Sequence, residues 1–357
     1  MGQQVYKTLI VVLLCWCQVA CVKDKPAASA PASTASGSKV YVVCEGNFGN
    51  GDASLYAWNT TSLTVSGDLY SQANGAPLGD VFQSMQRIGN KYYLCINNSD
   101  RIVVLDTGTL HQSSVISVPK PRYMLQVSAT KAYVSSLFTN RVFVIDLPTA
   151  QVTDTITLTY SNTEGMCMAN GYAWVCMWDT AGHYIAKLDA GSNTVAAYVP
   201  LPGYAPQEAV LDKEQMMWVL AGNKTKGRVA TLTRLDPSTG SVLKSFTFPS
   251  TADPLKPVMN GARDSLYFIE VNYNGGSTDN GIYRMSIYDA ALPATPFVSG
   301  GLYQYFWALG IEPGTGNIYV GDPKNFVQKG SVSIYRPDGA LLHTFACGVG
   351  PGHFYFP

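Results

Sequence analysis

From Lys39 to its end, the chain is built of short runs rich in aromatic and β-branched residues, each cut off by a polar or glycine-bearing turn. The stretch Lys91–Thr109 shows the unit clearly: KYYLCI and RIVVLD are joined by the polar turn Asn97-Asn98-Ser99-Asp100, and the second run closes on Asp106-Thr107-Gly108. There an Asp side chain can bond the backbone two residues on, and a Gly accepts a positive φ. The pattern predicts a hairpin and the start of another.

The same unit returns along the chain. An aromatic residue followed by an apolar one stands at Tyr41, Tyr93, Tyr133, Trp174, Trp218, Tyr267 and Tyr319, at steps of 40 to 52 residues. That spacing is the length of a four-stranded propeller blade, and seven anchors predict seven blades. The RIVVLD run recurs as SLYAWN, RVFVID, YIAKLD, TLTRLD, RMSIYD and SVSIYR, each followed by a turn and a fourth strand. Short strands precede six anchors (FQSMQRI, YMLQVS, GMCMA, EAVL, PVMN and WALGI), whereas Tyr41 has none before it. The missing one is expected at the far end: Pro351–Phe356 has the right composition to pair beside Lys39–Glu45. The expected fold is therefore all-β, a seven-bladed β-propeller of four-stranded blades, its ring closed by the C-terminal strand pairing with the N-terminal strands. Closure removes the two edges an open ring would expose. The aromatic anchors are expected to pack blade against blade, and the recurring Asp residues to form turns.

Composition agrees with this pattern. Hydrophobic residues make up 46% and charged residues only 13%, about half the usual charged share, with 33 Gly and 20 Pro punctuating the strands. Lys plus Arg and Asp plus Glu both number 24, so the chain carries no electrostatic footprint for nucleic acid.

The first residues differ from the rest. Lys7 precedes an apolar run from Thr8 to Cys17, too short to span a bilayer, and Val19-Ala20-Cys21 follows as a small-residue cleavage site abutting a cysteine. This resembles a bacterial lipoprotein signal, which makes residues 1–20 the signal peptide and Cys21 the lipidated residue. Gln18 departs from the aliphatic residue usual there, so plain secretion is the alternative. Residues 21–38, nearly all Pro, Ala, Ser, Thr and Gly beyond a short charged cluster, are expected to be a tether. The propeller then occupies residues 39–357. Of 8 Cys, five remain beyond the tether, Cys44, Cys95, Cys167, Cys176 and Cys347, with no CxxC pair. Cys95 and Cys176 take the same place in different repeats. All five read as small buried hydrophobes, not as a disulfide frame or a metal site.

Candidate chemistry gathers on one face. In such a blade, the loops joining the second and third strands share a face with those joining one blade to the next, and here these are the long ones. They carry Phe48, Phe138, Trp178, Tyr273 and Phe326, and the blade-to-blade connections add Tyr70–Asp80, Tyr123, Tyr204, Tyr305 and Trp307. Just before the first strands stand Gln83, Glu164, Gln207, Glu208 and Lys256, polar groups able to fix orientation. Aromatics in polar loops on one rim suit a shallow binding surface for a flat or amphipathic ligand. There is no G-x-S-x-G elbow, no H-E-x-x-H and no pair of neighbouring histidines. Glu270–Gly281 lacks the regular acidic spacing of a calcium loop. No metal or cofactor is expected, and a catalytic reading would rest on Glu164 and Glu208.

The stretch from Cys44 through Glu45-Gly46-Asn47-Phe48-Gly49, then Ala53-Ser54-Leu55 and Asn74–Met85, resembles the opening of YncE-like seven-bladed propeller lipoproteins of Gram-negative outer membranes. The ending Gly350–Phe356 resembles theirs too. The resemblance implies a lipid-anchored, surface-exposed, non-catalytic protein of the outer membrane. Within that family, the BtuG-type members capture cobalamin and pass it to an outer-membrane transporter. It thus implies cobalamin or another corrinoid as ligand and a transporter as partner. The alternatives are another small ligand, a glycan or a partner protein, and then a lactonase- or lyase-type enzyme.

Overall fold

A computed structural model describes residues 39–271, 279–302 and 304–357. The expected signal peptide, the tether, the lipidation residue Cys21 and Tyr273 lie outside the described residues. Seven four-stranded antiparallel sheets follow one another along the chain. Blade II, for example, runs from the axis outward as Phe82–Ile88, Lys91–Ile96, Arg101–Asp106 and Gln112–Ser117. Blades III to VII begin with innermost strands Pro121–Gln126, Thr163–Ala169, Pro206–Leu211, Asp253–Met259 and Ala308–Ile311. Each innermost strand touches the next, so the ring is closed. No helix among the described residues is long and apolar enough to cross a membrane.

Blade I is assembled from both ends of the propeller. Its innermost strand is Pro351–Tyr355, which pairs with Lys39–Cys44 through Tyr41 opposite Tyr355 and Val42 opposite Phe354. The closing strand is in the expected place. Its Phe354 ring is buried against Tyr319 of blade VII, with centroids 5.8 Å apart, so closure buries aromatic area as well as pairing two edges.

The second strand of each blade is hydrophobic on both faces because both faces are covered. In KYYLCI, Tyr92 and Leu94 pack toward blade I, while Tyr93 and Cys95 pack toward blade III. Tyr93, Tyr133, Trp174, Trp218 and Tyr319 are among the largest fully buried side chains, so the repeated aromatics join blade to blade. The recurring Asp residues act as turn formers: Asp106, Asp189 and Asp236 each accept the N–H two residues on, and Asp146 accepts that of Thr149. All five described cysteines are free thiols, four of them buried.

The segment Tyr70–Asp80, expected as a rim loop, is only partly so. Its first half is a short helix, Leu69–Asn74, whose Tyr70 hydroxyl bonds Gln112 at 2.8 Å and whose Asn74 bonds Leu110 and Gln112. Those partners begin the outermost strand of blade II, at the end away from the rim. The helix fills the place left by blade I's short outer strand, Thr64–Ser66.

One local device recurs at the entrance to the innermost strands. Val81, Lys120, Asn162, Ala205 and Gly350 all have left-handed φ, between 42° and 64°. Four of them offer their carbonyl to the first residue after the neighbouring strand, as in Val81 to Asn97 at 2.7 Å, Lys120 to Leu137 at 2.9 Å and Gly350 to Glu45 at 2.8 Å, and Ala205 offers its own to Gly222 near the end of that strand. A register shift then follows in the ladder, for instance between Phe82 and Ser84 and between Pro121 and Met124. A bulge re-aims the side chain it carries. Here that residue lies two positions after the left-handed one, at Gln83, Arg122, Glu164, Gln207 and Gly352.

Candidate functional site

These re-aimed residues meet at the top of the central channel. In blade VI the left-handed residue is Lys256 itself (φ 53°), directly before Pro257, a costly conformation for a lysine in that place. In blade I the position is Gly352, where an added Cβ would lie 2.1 Å from Glu45 Oε1, so the carboxyl of Glu45 fills the space instead. Blade VII contributes Trp307, whose indole N–H donates to Glu45 Oε1 at 2.8 Å.

The mouth is a cavity of about 340 Å³. Eight of the sequence-predicted residues line it together: Phe48, Gln83, Tyr123, Phe138, Glu164, Trp178, Gln207 and Trp307. Glu208 and Lys256 line it as well, so the polar groups expected at the mouth are all there. Trp307 also faces an adjoining groove of about 670 Å³, lined in addition by Tyr305 and Phe326. Tyr204 stands apart from both, half-exposed beside His183 with the Arg228 guanidinium 4.3 Å from its ring centre.

The floor of the mouth is a fixed polar network. Arg122 Nε donates to Glu164 Oε2 at 2.9 Å, and Arg122 Nη1 donates to Gln83 Oε1. The Tyr123 hydroxyl donates to Glu208 at 3.4 Å, and the Trp178 indole donates to the Gly222 carbonyl at 2.8 Å. Glu164 Oε1 is buried and has no hydrogen-bond partner among the described residues. The Lys256 ammonium makes no hydrogen bond or ion pair among the described residues.

Charge and burial oppose one another in this network. Burial raises the carboxyl pKa values of Glu45, Glu164 and Glu208, while Arg122 and Lys256 pull them down. Burial also works against the charges of Arg122 and Lys256, but the carboxyl and phenol groups around them outweigh it and raise both. Tyr123, Glu208 and Lys256 also roof a lower compartment of about 260 Å³ in the channel, walled by apolar residues and His353. Burial and Lys256 push the His353 imidazole down to about 4, so it is neutral at physiological pH.

The rim above is apolar and exposed. Phe48 and Phe138 are each 74% exposed at the cavity's edge, and Phe138 is held in a left-handed conformation (φ 63°) by a bond from its N–H to Asn162. A bulky residue in that region is strained, and such strain gathers at ligand clamps. The arrangement offers aromatic faces above and immobile donors and acceptors below. Among the described residues, no group of three or more His, Cys, Asp or Glu side chains is placed to hold a metal.

Arg122, the centre of the network, does not stand out in the sequence, hidden between Pro121 and Tyr123. Aligning the innermost strands on their bulge would have found it: Gln83, Arg122, Glu164, Gln207 and Lys256 then fall in one column.

Residues 38–357 match the family model described as Domain of unknown function (DUF5074). A search of curated protein sequences finds no match. Among solved structures, the chain is similar to a quinonprotein alcohol dehydrogenase-like protein from Bacteroides thetaiotaomicron, at 17% identity and TM-score 0.69 over 90% of this chain and 78% of that one. It is also similar to the periplasmic gluconolactonase PpgL of Pseudomonas aeruginosa, at 12% identity and TM-score 0.66 over 89% of this chain and 99% of the other. A streptogramin B lyase matches at 16% identity and TM-score 0.52, over 73% and 81% of the two chains. At these identities the likeness is one of fold.

Proposed function

The chain belongs to the DUF5074 family, and we propose that its propeller is the non-catalytic, ligand-capturing head of an outer-membrane surface lipoprotein. In this reading Cys21 carries the lipid, residues 21–38 are the tether, and the ligand is cobalamin or another corrinoid delivered to an outer-membrane transporter. The observation that carries the proposal is the pairing of two exposed rings, Phe48 and Phe138, above a floor of fixed polar groups. A corrin ring is flat and apolar on its faces and edged with amides. It is too wide to enter a 340 Å³ cavity, so it lies across the rim. The phenyl rings cover its face, and Gln83, Gln207 and Lys256 meet the arms that reach down.

The test is a fluorescence titration with cyanocobalamin, following the indoles of Trp178 and Trp307. Each of Phe48→Ala and Phe138→Ala is expected to weaken binding about tenfold, the scale of one lost aromatic contact. Their exposure makes both changes neutral for stability. Unchanged affinity in both variants would remove the rim from the site.

A second reading has one observation in its favour. Glu164 and Glu208 are buried carboxyls with raised pKa values inside a cavity, the signature of acid–base residues, on a fold shared with a gluconolactonase. Under that reading the protein opens a lactone and Glu208→Gln abolishes turnover. Incubation with gluconolactone in a pH-stat, with no proton release above the uncatalysed rate, dismisses it.

A further inference from the structure

The 670 Å³ groove beside the mouth has a different chemistry from the mouth itself. Its wall is aromatic, with Tyr305, Trp307 and Phe326, and its fringe is polar, with Asp322, Asn325 and Gln328. Phe326 meets Trp307 edge to face at 5.4 Å between centroids, and its ring packs close against Gly350, where an added Cβ would be 2.6 Å away. The wall is therefore preformed.

The loop that presents it is strained. Lys324, Asn325 and Phe326 are three consecutive left-handed residues, with φ of 46°, 64° and 61°. None is glycine, and such runs persist only where the surroundings impose them. Asp322 imposes this one: its Oδ1 accepts the Lys324 N–H at 2.9 Å and its Oδ2 accepts the Gln304 amide at 2.9 Å. The side-chain amides of Asn325 and Gln328, by contrast, have no partner among the described residues. The groove thus holds organised rings next to unused donors and acceptors.

We propose that this groove is a carbohydrate-binding subsite for a neutral oligosaccharide, independent of the corrinoid reading of the mouth. A pyranose has a face of C–H bonds that packs on an aromatic ring, and a rim of hydroxyls that both donate and accept. Trp307 and Phe326 supply the ring faces. Asn325 and Gln328 supply amides that answer a hydroxyl in either role, and the spare lone pairs of Asp322 accept from it. Asp322 and Lys324 offset each other's charge, which favours a neutral ligand over an ionic one.

The experiment applies the full chain to an array of neutral oligosaccharides that includes cellotetraose, maltotetraose and chitotetraose, then measures the strongest binder by calorimetry. At least one is expected to be retained. Asn325→Ala and Gln328→Ala each weaken it about fivefold, on the scale of one hydrogen bond, and Phe326→Ala weakens it at least tenfold. Gln328 is exposed and stands outside the left-handed run, so Gln328→Ala leaves the loop intact and its result stands whatever Asn325→Ala and Phe326→Ala do to the backbone. The proposal is overturned if no saccharide is retained or if the binder is indifferent to all three substitutions.

Discussion

Arg122→Met tests the polar floor of the mouth most sharply. The guanidinium sits 2.9 Å from Glu164, with side chains 18% and 4% exposed, and also holds Gln83. At an effective dielectric of about 20, a pair at this distance attracts by roughly 6 kcal/mol before desolvation is counted. Losing one partner of a buried pair costs about 3–5 kcal/mol, because the charge left behind is unpaired. Methionine keeps much of the apolar stem, so the loss isolates charge and hydrogen bonds. Among the described residues Glu164 has no second hydrogen-bond partner to fall back on, since Oε1 already lacks one. It must therefore take up a proton, and that becomes harder as pH rises. A carboxyl whose folded pKa is raised stabilises the fold below its unfolded pKa, and that contribution is lost as pH climbs toward the folded value. Burial already raises Glu164, and removing Arg122 raises it further. The expected loss is about 1–2 kcal/mol at pH 5, the worth of the missing hydrogen bonds, and about 3–5 kcal/mol at pH 7.5. Thermal melts report this as a fall in Tm of about 5–10 °C at pH 7.5 and clearly less at pH 5. Adding Glu164→Gln should recover the pH-dependent part. Equal losses at both pH values, or no recovery in the double variant, would refute the reasoning.

Other consequences follow from single residues. Burial, with Asp279 nearby, pushes the Glu270 carboxyl up from the ordinary glutamate value to about 7, so the wild type loses stability as pH rises across that window. Glu270→Gln removes the loss. Melts should show the variant equal near pH 4.5 and ahead by about 1 kcal/mol at pH 7.5, a figure discounted for the residue's partial exposure. Phe354→Ala, in the closing strand, should cost about 3–5 kcal/mol in urea unfolding, whereas Val115→Ala on an exposed outer strand should stay within about 0.5 kcal/mol. The thiols of Cys95 and Cys167 are pushed by burial to about 12, and Cys44 and Cys176 also rise. Iodoacetamide at neutral pH should label these cysteines only after unfolding, as mass spectrometry would record.

The fold was legible because a propeller strand is covered on both faces. Runs such as KYYLCI cannot be polar on either side, so the aromatic anchors and their spacing survive in the sequence. Closure was legible by subtraction, from seven anchors and six preceding strands. The rim aromatics could be read because bulky rings in polar loops have no core to fill. The channel network was harder. Glu164 reaches Arg122 from 42 residues away, and Trp307 reaches Glu45 from 262 away. Only the ring brings them together. Gln83 and Glu164 showed as polar residues at strand starts, but the bulge that aims them inward depends on left-handed residues such as Val81, whose side chain argues against that conformation. The helix Leu69–Asn74 escaped notice because its role is to stand in for a short outer strand.

The proposal made above is that this propeller captures a corrinoid across its mouth. Passing the protein with cyanocobalamin over a sizing column, at micromolar concentrations of both, tests it most directly. The account predicts corrin absorbance eluting with the protein peak, and less of it for Phe48→Ala and Phe138→Ala. Corrin absorbance confined to the small-molecule volume for the wild type would contradict it.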